Sequence, residues 1–228
     1  MVGIIFDFNG TLYDDDAIQK ASWERMSEKY RNRGITSAEM DEHVNGRYNK
    51  HTLEFLLGKQ LSVAESARYS DEKEELYRQL CLEDVANFHL RKGVPEYLDA
   101  LKSAQISFTI ATASGLDNVQ FFFKAFNLAH WFNPKQVVYN DGSIKGKPNP
   151  DIFLRAATNI NVPAERDIIF EDSDSGIAAS QAAHAGWTVG VETPHNRGTI
   201  RGDARLSTVI ADYTDDNQFL SADFLKRL

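Results

Sequence analysis

The chain opens on a short apolar run, Val2-Gly3-Ile4-Ile5-Phe6, that delivers a carboxylate into a glycine turn, Asp7-Phe8-Asn9-Gly10-Thr11-Leu12. Strands buried on both faces read as unbroken apolar runs, and such strands belong to parallel sheets covered by helices. Three further runs share this character: Ser107-Phe108-Thr109-Ile110-Ala111-Thr112, Asp167-Ile168-Ile169-Phe170-Glu171 and Trp187-Thr188-Val189-Gly190-Val191. Each is bounded by turn residues and adjoins a helix-like stretch, which predicts an α/β fold with a doubly wound sheet. Gln136-Val137-Val138-Tyr139 reads as a weaker strand outside the main order. The tail from Ala204 to Leu228 reads as a last short strand about Val209-Ile210 and a closing helix.

Residues 14–90 have a different texture. They carry helical periodicity, few β-branched runs and dense charge, as in Trp23-Glu24-Arg25-Met26-Ser27-Glu28-Lys29-Tyr30. Gly34 and Gly46 read as helix stops, and Ser37 and Asp71 as helix caps. The expected organisation is a helical unit, 14–90, inserted into a sheet domain built from 1–13 and 91–228. A length of 228 residues accommodates one domain with such an insertion.

The formal net charge of -8 argues against a general nucleic-acid or acidic-membrane surface. An anionic substrate would therefore need local positive charge or a cation. The single cysteine, Cys81, cannot form an internal disulfide, and its leucine neighbours predict a buried, reduced thiol. The N-terminus lacks a basic leader region, and no apolar run approaches the roughly 20 residues of a membrane helix. A cytoplasmic protein with no membrane partner is the expectation.

The strand ends, taken in order, are Asp7, Thr112 and Glu171-Asp172, and Lys145-Gly146-Lys147-Pro148-Asn149-Pro150-Asp151 lies before the last pair. Ligands of open parallel sheets bind beyond the carboxyl ends of the strands. Carboxylates gathered there repel, so either their pKa values rise or a cation binds. Oxygen donors without histidine or cysteine suit magnesium (Mg2+). Each segment also has a plainer reading. Thr112 can simply end a strand, Lys147 can be a solvated loop lysine as Lys145 is expected to be, and Glu171 to Asp174 can be a helix start. Asp174 is assigned to that plainer role.

The four segments in this order, with Gly-Lys-Pro-x-Pro-Asp-x-Phe and Glu-Asp-Ser-x-x-Gly, resemble the haloacid dehalogenase superfamily, in its phosphatase and β-phosphoglucomutase subgroup. The resemblance implies a Rossmann-like core with a helical cap inserted after the first segment. It implies that Asp7 attacks phosphorus and forms an aspartyl-phosphate. Magnesium would be held by Asp7, Asp172, Glu171 and the backbone carbonyl of Asn9. Thr112 would donate to a phosphoryl oxygen, and Lys147 would neutralise charge on Asp7 and the phosphate. Ala113 and Ser114, with Gly115, would line the phosphate pocket. In the cap, Gly46 and Arg47 resemble a substrate loop, with Arg47 clamping a second anionic group of a small phosphorylated metabolite.

One departure matters. Phosphatases and mutases of this group carry an aspartate, the general acid and base, where this chain has Asn9, and an amide cannot exchange that proton at neutral pH. Three readings compete: a phosphatase for substrates with good leaving groups, such as acyl or aryl phosphates; a low-turnover binder of a phosphometabolite or partner; or an asparagine introduced to trap a complex. Gln19 stands about where mutase caps place a histidine, which weighs against a sugar-phosphate mutase. Lys50, His184 and His195 are expected to be structural or solvated. The sequence is compatible with a monomer.

Overall fold

The computed structural model describes residues 2–44 and 49–228. The chain separates into two compact units, Met1–Asp14 with His89–Leu228, and Asp15–Phe88.

The first unit is built on five parallel strands, β1 (Gly3–Phe6), β2 (Ser107–Ile110), β3 (Asp167–Glu171), β4 (Trp187–Val191) and β5 (Thr208–Ile210), in the order β2-β1-β3-β4-β5. The register sets Gly3 beside both Ser107 and Asp167, and Phe6 beside Ile110 and Phe170. In this order the sheet reverses direction of growth between β1 and β3, and ligands of such sheets bind in the crevice at that switch point. Every residue of β1 and β3 is buried, as their unbroken apolar runs require. The weaker run at 136–139 forms no named strand. It makes a single bridge, Ala111 to Val138, which extends the sheet beyond β2.

Successive side chains on β1 and β3 point to opposite faces. Ile5 and Ile169 pack beneath α7 (Asp151–Ile160) and α8 (Asp174–Ala182), against Phe153, Ala156, Ala179 and Ala183. Phe6 and Phe170, 5.1 Å apart between ring centres, face an aromatic layer with Tyr97 of α5 (Val94–Ser103) and Tyr213. Aromatic layers of this kind bury a large area and add specific edge and face contacts. Among the described residues, the other α-helices of this unit are α6 (Leu116–Ala125) and the closing α9 (Ala222–Leu225).

The second unit holds α1 (Asp16–Arg31), α2 (Ser37–His43), α3 (Asn49–Leu57) and α4 (Val63–Glu83) around Trp23, Met26, Met40, Leu53 and Leu56. The caps differ from those expected. Thr36, not Ser37, caps α2 and shares a reciprocal capping box with Glu39; Ser62 does the same with Glu65 for α4, leaving Asp71 inside that helix. Asn32, at φ 54°, terminates α1 ahead of Gly34. Gly46 lies outside the described residues. Cys81 is buried and free, and no helix among the described residues is long and apolar enough to cross a membrane.

Candidate active site

Asp7 follows the last residue of β1, and its backbone N–H donates to Phe170 O at 3.0 Å, which pins the carboxylate beside the end of β3. The turn after it depends on Gly10, whose φ of +76° favours glycine and whose missing Cβ leaves room for the Asp172 carboxylate. Across the switch point, Glu171 ends β3 and is fully buried. Its Oε2 accepts from the backbone N–H groups of Asp172 and Ser173, each at 2.8 Å, and from Ser173 Oγ at 3.0 Å. Ser173 in turn caps α8 by accepting from Gly176 N–H at 3.0 Å. Gly176 is required there because a side chain would strike the Glu171 carboxylate.

Lys147, buried, reaches between the two strands. Its Nζ donates to Asp7 Oδ1 at 2.6 Å and also to Glu171 Oε1. Burial opposes its charge, but the Asp7 and Glu171 carboxylates outweigh that and hold its pKa above the usual lysine value. Asp7, Glu171 and Asp172 offer oxygens that all lie within 4.8 Å of one another. Burial first, then the charges of Glu171 and Asp7, push the Asp172 carboxyl well above the usual aspartate range. With all three acids ionised, one lysine leaves an excess of two negative charges, which a divalent cation would balance. The donor set is all oxygen, so the residues fit a hard cation of the magnesium type.

Thr112 is buried just past β2, held by its N–H on Val138 O at 2.9 Å. Its Oγ1 accepts from Ser114 N–H at 3.1 Å, which leaves its own proton to donate. Ser114 Oγ donates to Asn9 Oδ1 at 2.8 Å, so the departure noted at Asn9 is built into the hydrogen bonding of the site. Ala113, beside them, is exposed.

The structure thus brings Asp7, Lys147, Glu171 and Asp172 to one cluster and ties Asn9, Ser114 and Thr112 into a second chain of contacts. It keeps Lys145 exposed and turns Asp174 outward to Arg205. His184 and His195 are exposed, and Lys50 pairs with Glu54 at 3.5 Å on the helical unit. Gly46 and Arg47 lie outside the described residues. Sequence reasoning missed Thr11, whose hydroxyl donates to Asp172 Oδ1 at 3.1 Å, and Asn196, which donates to Asp172 O at 2.8 Å. Thr11 sat inside the first segment and could have been found there; Asn196 lies in a loop with no recognisable pattern.

Residues 4–189 match the model of haloacid dehalogenase-like hydrolases. The chain belongs to that family. It is an enzyme of the hydrolase class. This hydrolase is 27% identical to the phosphorylated carbohydrates phosphatase of Thermotoga maritima, over 80% of this chain and 82% of that one. It is also 27% identical to the β-phosphoglucomutase of Bacillus subtilis, over 80% of each. The crystal structure of a HAD hydrolase, family IA, variant 3, from Entamoeba histolytica superposes with a TM-score of 0.91 at 32% identity, covering 99% of this hydrolase and 100% of that chain.

Proposed function

We propose that this hydrolase cleaves phosphate monoesters of small phosphorylated metabolites, phosphorylated sugars among them, through an aspartyl-phosphate on Asp7. The observation that carries the reading is the Lys147 contact to Asp7 at 2.6 Å, beside the oxygen cluster completed by Asp172. Asp7 attacks phosphorus; the P–O bond to the leaving group breaks, and water later releases phosphate and regenerates the carboxylate. Lys147 steadies the negative charge of Asp7 and of the phosphoryl oxygens, and the Thr112 hydroxyl donates to one of those oxygens. Positioning and charge stabilisation of this kind carry most of phosphoryl transfer. Magnesium, held by Asp7 and Asp172 with Glu171 and the Asn9 carbonyl beside them, would supply charge neutralisation at the phosphate.

Asn9 shapes the substrate range. No carboxylic acid stands at that position to protonate the leaving oxygen, so esters whose leaving groups depart as stable anions, acyl and aryl phosphates, turn over best. Two related proteins act on carbohydrates: one is named for phosphorylated carbohydrates and one for phosphoglucomutase activity. Sugar esters are therefore the first natural candidates, though as alkyl esters they turn over more slowly than acyl or aryl phosphates. The second reading is a protein that holds a phosphometabolite with little turnover, which the Asn9 amide, unable to exchange the proton, favours. A panel of phosphorylated metabolites, scored for phosphate release and for thermal shift with magnesium, separates the two. Release that vanishes in Asp7→Ala supports hydrolysis; ligand-dependent stabilisation with no release supports the binder.

A further inference from the structure

The loop after β4 runs Glu192-Thr193-Pro194-His195-Asn196-Arg197, and it is secured from several directions. The Glu192 carbonyl accepts from buried Arg91 Nη1 at 3.0 Å, and its carboxylate accepts from Arg197 Nε at 2.8 Å and Arg201 Nε at 2.5 Å. Asn196 sits within this frame. Its backbone N–H donates to Thr193 Oγ1 at 3.2 Å, and its Oδ1 accepts from Thr193 N–H at 2.8 Å. With the amide so oriented, Nδ2 donates in two directions, to Val191 O at 3.0 Å and to Asp172 O at 2.8 Å. One side chain therefore joins the last residue of β4 to the residue just past β3.

Asp172 is consequently held at three points. Its N–H donates to Glu171 Oε2 at 2.8 Å, its carbonyl accepts from Asn196, and its Oδ1 accepts from Thr11 Oγ1 at 3.1 Å. Among the described residues no hydrogen bond falls on Oδ2, which lies against Gly10. A carboxylate crowded by Asp7 and Glu171 is pushed away from them by like charge, so keeping it in place requires a hold on its backbone. We infer that Asn196 is a positioning residue that keeps the Asp172 carboxylate set as a ligand for a divalent cation. This rests on the metal reading given above. Asparagine suits the task because two donors and one acceptor share a rigid plane; aspartate would face two carbonyls with no proton, and serine could serve only one of them. Partners that orient ligating groups in this way typically govern metal affinity as well as geometry.

The test titrates Mn2+ into the full chain and reads binding by electron paramagnetic resonance, so that turnover is not needed. Asn196→Ala and Asn196→Leu, the second filling the space without donors, should each weaken Mn2+ binding about ten- to a hundredfold. Activity should return at high metal concentration, as a shift in the metal needed rather than in limiting kcat. Asn159→Ala, which removes another side-chain donor to a backbone carbonyl at 3.0 Å in the sheet unit, should leave Mn2+ affinity unchanged. If both Asn196 variants fail to fold, Thr193→Ala, which loosens the Asn196 backbone, should weaken binding at least twofold. A folded Asn196 variant that binds Mn2+ within twofold of the natural protein, or an unchanged Thr193→Ala where that variant is needed, overturns the inference. Asp172→Asn is the reference: if it too binds Mn2+ normally, the metal reading itself fails and not merely the role of Asn196.

Discussion

Strand β3 begins and ends on a buried acid, and the two fare differently. Glu171, at the carboxyl end, is met by Lys147, two backbone N–H groups and a serine hydroxyl. Asp167, at the amino end, is 1% exposed and neither carboxylate oxygen has a hydrogen-bond partner. Burial, reinforced by Glu165, raises the Asp167 pKa to about 7. A sheet interior thus tolerates an acid in two ways: by supplying donors and a counter-charge, or by keeping the proton on it. The first leaves a charged cluster fit for chemistry. The second stores a cost that falls on stability.

The largest effect expected is at the charged end. Asp7→Ala should lower aryl-phosphate turnover by at least about a thousandfold, on the scale seen when a nucleophile is removed. Measured phosphate release near the natural rate would reject Asp7 as nucleophile and leave the cluster without its assigned role. Next in size is Lys147→Met, which strands two buried carboxylates and should cost about 3–5 kcal/mol in urea unfolding at neutral pH. A smaller loss would mean that Asp7 and Glu171 are compensated by something other than this lysine.

At the other end of the strand the sign reverses. Because the folded-state pKa of Asp167 is raised, the stability associated with its protonated form is complete below the unfolded value of 3.8. It declines as pH rises and is lost once pH passes about 7. Asp167→Asn should therefore raise unfolding stability by about 1–3 kcal/mol at pH 8 and do little at pH 4. Parallel pH dependence in the two proteins would show that Asp167 is solvated after all. Last and smallest, Asn9→Asp should raise alkyl-phosphate hydrolysis at least about tenfold, within the range of positioned acid catalysis, and aryl-phosphate hydrolysis less. Equal gains for both leaving groups would locate the limit elsewhere than in the missing acid.

Much of the fold was legible beforehand. Four apolar runs became β1 to β4 within a residue or two, and the tail supplied β5 and α9. The caps of α2 and α4 were not, although Thr36 with Glu39 and Ser62 with Glu65 both follow the Ser/Thr-x-x-Glu pattern. The run at 136–139 carried a strand pattern, but only Val138 forms a bridge, because the Gln136 carbonyl is taken by the Thr109 hydroxyl and the Asn159 amide.

Local order in the chain determined the strands, because a stretch buried on both faces must be apolar throughout, and it determined which acids and which lysine arrive at strand ends. Whether a given acid is charged or protonated, and that Asn196 holds Asp172 across 24 residues of chain, was settled only by folding. Those outcomes depend on donors contributed by segments remote in sequence, and no local pattern records which donors will come within 3 Å of an oxygen.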